Sequence, residues 1–280
     1  MPVLRRKSLK TVVTIHGLEA EYLPEYYQFP QKLYLTKSTE YAVKHASRLV
    51  AVSKWTKNEL VRQMGADEKK IHVIYEGVSK RITEAGKRQF SKDYLRQIRH
   101  KYNLKRPYIL FVGTIQPRKN LVRLIEAFAK SEVRNLRNLN LVIAGKKGWM
   151  YEEIFKAPEK FGVKDQVKFI GRIAEADLPA VYQQADLFVY PSLMEGFGLP
   201  VLEAMSMGLP VVASDRGALP EVAGKAALLI NPEKVKDLSR AIKLVLASPE
   251  LRQGLREKGF KQVKKFSWQR AAEETLKVLT

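Results

Sequence analysis

The stretch Glu195-Gly-Phe-Gly-Leu-Pro-Val-Leu-Glu203 decides how this chain is read. It sets two carboxylates eight positions apart around a turn broken by Gly196 and Gly198. Pro200 suits the first helical position, where its missing N–H leaves no hydrogen bond unmade. A helix is therefore predicted near residues 200–207, with Glu203 about one turn in and Glu195 in the loop before it. The N–H groups of Gly196, Phe197 and Gly198 are expected to be free to face an anion at the helix start. The two carboxylates would then accept hydrogen bonds from hydroxyls, so that the unit holds both ends of a phosphorylated sugar. The plainer alternative is a Glu favoured by the helix dipole after ordinary glycine turn chemistry.

Outward from this stretch, short apolar runs alternate with amphipathic segments, the pattern of a parallel sheet covered by helices on both faces. Strands are predicted at Tyr108–Val112, Leu139–Ala144, Val167–Ile170, Leu187–Tyr190, Val211–Ala213 and Ala227–Ile230. Leu121, Leu124, Ile125 and Phe128 fall at the spacing of a buried helix face, and Leu238, Ala241, Ile242 and Val245 repeat it in a helix near 234–246. A further helix is expected near 175–184, and Phe266-Ser-Trp268 introduces a last one to about Leu279. Towards the front, Thr11–Ile15, Leu49–Val52 and Ile71–Tyr75 read as strands, with Ser53 as N-cap of a helix Lys54–Met64. The expected fold class is α/β, with one complete Rossmann-like parallel-sheet domain behind a smaller, incomplete one.

The 280 residues, 45% of them hydrophobic, suffice for one large or two small domains. Cysteine is absent, which excludes disulfides and thiolate metal sites. No apolar run approaches the roughly 18 residues of a spanning helix. The opening Met1–Lys10 carries the charge of a leader's first region, but only Thr11–Ile15 is apolar before His16. A cytoplasmic location is expected. The formal charge of +21 is uneven, since residues 1–106 hold 23 Lys/Arg against 10 Asp/Glu and residues 107–280 hold 27 against 19. Nucleic acid is the weakest partner, because no groove-reading helix, zinc finger or aromatic RNA platform accompanies the charge. An anionic membrane surface and a merely solvated basic face are the other readings.

From Tyr108 to about Trp268 the chain resembles the donor-binding domain of the retaining glycosyltransferases of family 4, which have the GT-B architecture. Six ordered blocks carry the resemblance: Phe111-Val-Gly-Thr-Ile-Gln-Pro-Arg-Lys-Asn120, Phe169-Ile-Gly-Arg-Ile173, Ala185-Asp-Leu-Phe-Val-Tyr-Pro-Ser192, the two-glutamate stretch, Ala204-Met-Ser-Met-Gly-Leu-Pro-Val-Val-Ala-Ser214 and Leu219-Pro-Glu-Val-Ala-Gly224. The front resembles only the later part of the family's N-terminal domain, through Thr14-Ile15-His16, Ala51-Val-Ser53 and Gly77-Val78. The usual opening strand, glycine-rich turn and first βα units have no counterpart. The chain is thus expected to be truncated, with sheet edges that a partner would cover. The expected division is an acceptor-side domain at 1–80, a basic helical linker at 81–106, a donor domain at 107–265 and a helix at 266–280 that crosses back.

The resemblance also implies roles. Arg118 and Lys119, placed by the Pro117 turn, would neutralise the phosphates of a nucleotide-sugar, the Arg as a fork and the Lys as a point charge. Two adjacent cations in a basic protein are otherwise plain surface. The commoner family pattern has Arg where Thr114 stands, so Arg118 is inferred to substitute. Gly113, Thr114 and Leu199 would border the donor. Glu203 would take the ribose hydroxyls and Glu195 those of the transferred sugar, neither acting as a nucleophile. Arg172 and Ile173 match the position that grips the base, although a strand-end Ile is more often core. His16 matches a loop histidine near the reacting sugar, and Gly17 stands where the family often has Asp, which removes an orienting carboxylate. Catalysis is thereby assigned to His16, Arg118, Lys119 and Glu195. No Asp-x-Asp motif is present, and neither a metal nor another cofactor is expected.

The leading expectation is metal-independent transfer of a mannose-like hexose from a GDP- or UDP-sugar to a saccharide or lipid-linked acceptor, with retention, at the inner face of a membrane. One alternative is a fragment that binds nucleotide-sugar without turnover unless a partner supplies the missing front. Another is a basic nucleic-acid-binding protein, against which Glu195, Glu203, Arg118 and Lys119 argue.

Overall fold

Runs apolar enough to be buried on both faces become the strands of two parallel sheets in the computed structural model, which describes residues 10–131 and 138–280. The stretch Met1–Leu9, weighed above as the start of a leader, lies outside the described residues. The smaller sheet has the order β1 (Val12–Ile15), β2 (Arg48–Ala51), β3 (Ile71–Val73). The larger comprises β4 (Tyr108–Val112), β5 (Asn140–Ala144), β6 (Val167–Gly171), β7 (Leu187–Tyr190), β8 (Val211–Ser214) and β9 (Leu228–Ile230), in the order β6-β5-β4-β7-β8-β9. The order reverses between β4 and β7, and such a switch point opens a crevice at the strands' carboxyl ends.

The stripe Leu121, Leu124, Ile125 and Phe128 of the helix Leu121–Lys130 is fully buried, as are Leu238, Ile242 and Val245 of Val235–Ala247. The helix expected near 175–184 begins only at Leu178. Pro179 lies in its first turn, the one place where a missing N–H is harmless. Segment 81–106, expected as a linker, does more than connect. Ile82, Ala85, Ile98 and Leu104 all join the core of the larger half.

Both faces of the small sheet are covered. On one, Leu49, Ala51 and Ile71 pack with Leu18, Ala42 and Leu60. On the other, Val50 and Ile74 meet Ala271 and Val278 from the last helix, Trp268–Leu279, and the Arg48 guanidinium donates to the Val278 carbonyl. Val78 bridges to Ser267 at the same crossing. Gly77 is required there, since a Cβ would fall 2.1 Å from the Trp268 nitrogen. The helix Lys54–Met64 is capped partly by itself and partly from the other half. Ser53 Oγ accepts from the Thr56 N–H at 3.0 Å, while Glu221 accepts from the N–H groups of Lys54 and Trp55 at 3.0 and 3.1 Å and from the Tyr75 hydroxyl at 2.6 Å.

Candidate functional site

Loops leaving the carboxyl ends of β1, β3, β4 and β7 converge on one cleft between the halves. After β4, Pro117–Lys119 forms a single 3-10 turn that ends on Asn120 in the left-handed conformation. The Asn120 amide donates to the carbonyls of Pro191 and Pro232 at 3.1 and 2.7 Å, which pins the turn against the loop after β7. Arg118 and Lys119 are thereby brought onto Glu195, with Arg118 Nη1 2.9 Å from Oε2 and Lys119 Nζ 2.5 Å from Oε1. Lys119 also donates to the Tyr190 hydroxyl at 2.9 Å. Lys119 and Glu195 are each only 6% exposed, so the pairing is a core feature and not a solvated ion pair.

Electrostatics follow from that burial. Burial alone would raise the Glu195 carboxyl, but Arg118 and Lys119 outweigh it and hold it at about 2. Burial lowers the Lys119 ammonium against the pull of Glu195. The Arg118 guanidinium keeps its charge, yet its Nε–H is buried without a partner. Tyr27 reaches the same cluster, its hydroxyl pushed up to about 12 by burial against the opposing pull of Arg118.

Gly196 is a point at which the two halves meet. Its N–H donates to Glu19 Oε1 at 3.1 Å, and its carbonyl accepts from Ser53 Oγ at 2.8 Å. A Cβ there would lie 1.8 Å from the His16 carbonyl oxygen, so only glycine lets the two halves close. The Gly196 N–H, expected to be free, is thus already bound to a carboxylate. Among the described residues no partner is seen for the N–H groups of Phe197 and Gly198. The Phe197 ring faces away into an aromatic group with Tyr75 and Phe266, centroids 6.3 and 5.7 Å apart. Gly198 takes φ +106°, where a Cβ would fall 2.5 Å from Leu219 Cδ2. Leu199 opens the helix Leu199–Ser206 behind it, a residue earlier than expected, with Pro200 in its first turn.

Glu203 stands apart from the cation cluster. Its carboxylate accepts from the Tyr182 hydroxyl at 2.9 Å, and burial pushes it up against that bond. Gly113 borders the Lys119 stem, a Cβ there lying 3.9 Å from Lys119 Cε and 3.1 Å from the Phe111 ring. Thr114 follows in the same loop, packed beside Gly148. Arg172 is exposed just past β6, whereas Ile173 belongs to the main apolar core, the plainer of its two readings. His16 is largely exposed at the end of β1. Its Nδ1 is 3.0 Å from Glu76 Oε1, which raises its pKa against the effect of burial.

Glu19, Tyr27, Glu76, Tyr182 and Tyr190 escaped the sequence reading. Glu76 and Tyr190 sit at or just past strand carboxyl ends, a position that could have flagged them. Glu19 and Tyr27 gave no such signal. Cavity size would have misled, because a concavity of about 810 Å³ lies near Arg88, Pro210 and Arg252, at the end of the sheet where β8 begins. Among the described residues no three acidic or histidine side chains converge as metal ligands would, and no helix is long and apolar enough to cross a membrane.

Comparison with known proteins agrees with this architecture. The family described as Glycosyl transferases group 1 matches residues 96–262, and Glycosyltransferase Family 4 matches residues 1–81. The O-antigen chain mannosyltransferase B of Escherichia coli is 31% identical over 275 residues, covering 95% of this chain and 69% of that protein. The serotype-specific mannosyltransferase WbdA of the same species is 30% identical over 94% of this chain but only 32% of its own length. In fold, Anabaena Alr3699/HepE, crystallised with UDP and glucose, superposes with a TM-score of 0.81 at 20% identity, over 96% of this chain and 71% of that one. Two family matches that together take in most of the chain, and a 31% identical relative covered over two thirds of its length, establish that the chain belongs to the glycosyl transferases group 1 family, with the GT-B architecture.

Proposed function

We propose that the chain transfers a hexose, mannose by its relatives, from a nucleoside diphosphate sugar to a saccharide or lipid-linked acceptor, with retention and without a metal ion. The buried cluster of Arg118, Lys119 and Glu195 at the switch point carries this reading. A diphosphate beside it would share both cations with Glu195, which stays ionised and able to accept hydroxyls of the sugar. The N–H groups of Phe197 and Gly198 at the helix start, with Gly113, Thr114 and Leu199 alongside, would border the phosphates. Glu203 would hold the ribose, Arg172 would flank the base, and His16 would meet the acceptor side. The anomeric carbon–oxygen bond breaks, the acceptor hydroxyl adds from the same face, and its proton passes to the leaving phosphate. The protein's part is to hold the developing negative charge with groups already in place.

Phe29, Leu33 and Tyr34 stand exposed beside Lys32 and Lys37, which supports docking on an anionic membrane face from the cytoplasmic side. Calorimetric titration with GDP and UDP, with and without EDTA, tests the donor reading, and transfer from GDP-mannose tests the reaction. Absence of binding to both nucleotides, or binding abolished by EDTA, would sink the proposal.

A further inference from the structure

Glu19 is a charged group in the cleft that the proposed function leaves without a task. It follows β1 by four residues, in the short helix Glu19–Tyr22. Its neighbours Leu18 and Ala20 are buried, so the carboxylate is aimed from the smaller half by packing and not by chance exposure. Its Oε1 accepts from the Gly196 N–H at 3.1 Å and lies 3.7 Å from Arg118 Nη1. Arg118 is a cation the donor diphosphate would need, and the Gly196 N–H directly precedes those of Phe197 and Gly198 that would border it. The chain also makes room for the carboxylate, because a Cβ on Gly17 would lie 2.5 Å from Glu19 Oε2. A side chain at position 17 and this placement of Glu19 exclude one another.

We propose that Glu19 sets the affinity for the donor, as an internal anion that the diphosphate must displace. The inference rests on the donor reading given above. Its physical basis is an exchange of one anion for another: the hydrogen bond that a phosphate gains at the Gly196 N–H, and the ion pairing it gains with Arg118, are ones that Glu19 gives up. Donor affinity is therefore lower than the cations alone would give, and the loop that carries His16 is held to the donor half when no diphosphate is bound.

Glu19→Gln tests this, because it keeps the size and the acceptor oxygen but removes the charge. GDP and UDP are expected to bind the variant about tenfold more tightly by calorimetry, equivalent to about 1.4 kcal/mol. The donor KM is expected to fall, with kcat no higher than in the unsubstituted chain. Glu19→Asp keeps the charge but withdraws it by one methylene, and its affinity should fall between the two. A gain of affinity cannot come from damage to the fold, so a merely structural role would not produce it. Equal or weaker nucleotide binding by Glu19→Gln, with unchanged thermal melting, overturns the inference alone. Should that variant not fold, Glu19→Asp decides, and unchanged or weaker binding overturns it. No nucleotide binding by the unsubstituted chain overturns the inference together with the donor reading.

Discussion

Glu221→Ala should loosen the seam between the halves without touching any group assigned to the donor. The carboxylate accepts three hydrogen bonds, from the N–H groups of Lys54 and Trp55 and from the Tyr75 hydroxyl. Bonds to a charged acceptor contribute about 1.5–3 kcal/mol each, and N–H groups in a first helical turn have no intrahelical partner to fall back on. Lys54 is exposed and Trp55 half-buried, so water replaces part of the loss. A net cost of about 3 kcal/mol follows for the three together. At 1.4 kcal/mol per factor of ten, amide hydrogen exchange at 54 and 55 should quicken about a hundredfold. Exchange mass spectrometry on peptides spanning 50–60 reads this directly. Glu221→Gln keeps one acceptor oxygen and should show about a tenfold effect. Unchanged exchange in Glu221→Ala, or a Gln variant as fast as the Ala one, would refute the idea that this carboxylate caps the helix from across the seam.

Two further outcomes bear on the buried cluster. Lys119→Met should destabilise the chain by about 3 kcal/mol in urea unfolding, because it leaves Glu195 buried with one cation fewer; adding Glu195→Leu should recover part of that loss, and a single variant as mild as a surface lysine change would count against the pairing. Glu195 is depressed from an ordinary value of 4.5 to about 2, so its stabilising contribution is complete above 4.5 and is lost as pH falls through about 2. Urea midpoints should therefore drop between pH 4.5 and 3 more steeply in the unsubstituted chain than in Glu195→Gln, and parallel curves would remove the assignment.

The larger sheet was legible because its strands are buried on both faces and read as unbroken apolar runs, as Tyr108–Val112 and Leu187–Tyr190 do. Helix faces were legible by their spacing, and the start at Leu178 slipped only because a proline can open a helix but does not say how much precedes it. The candidate site was legible where residues close in sequence act together, as Arg118 and Lys119 do. It was illegible where the partner lies far along the chain. Nothing periodic joins Glu19 to Gly196, or Glu221 to the start of Lys54–Met64, since both are meetings of loops across the seam. Gly196 illustrates the limit. As part of Gly-x-Gly it reads as turn chemistry, yet its own constraint is the His16 carbonyl pressed against it. Phe197 was read for its N–H alone, and its ring turned out to be part of the contact with Tyr75 and Phe266.

The last helix, Trp268–Leu279, supplies Ala271 and Val278 to the face of a sheet whose strands lie near the front. Arg48 and Val278, which meet there, are 230 residues apart. During synthesis at about 5–20 residues per second, β2 therefore waits roughly 10–45 s for the side chains that cover it. Val50 and Ile74 lack the cover of Ala271 and Val278 throughout that interval. The six-stranded half can complete its own sheet well before then, so the small sheet, although its strands are made earlier, is the later of the two to finish its core.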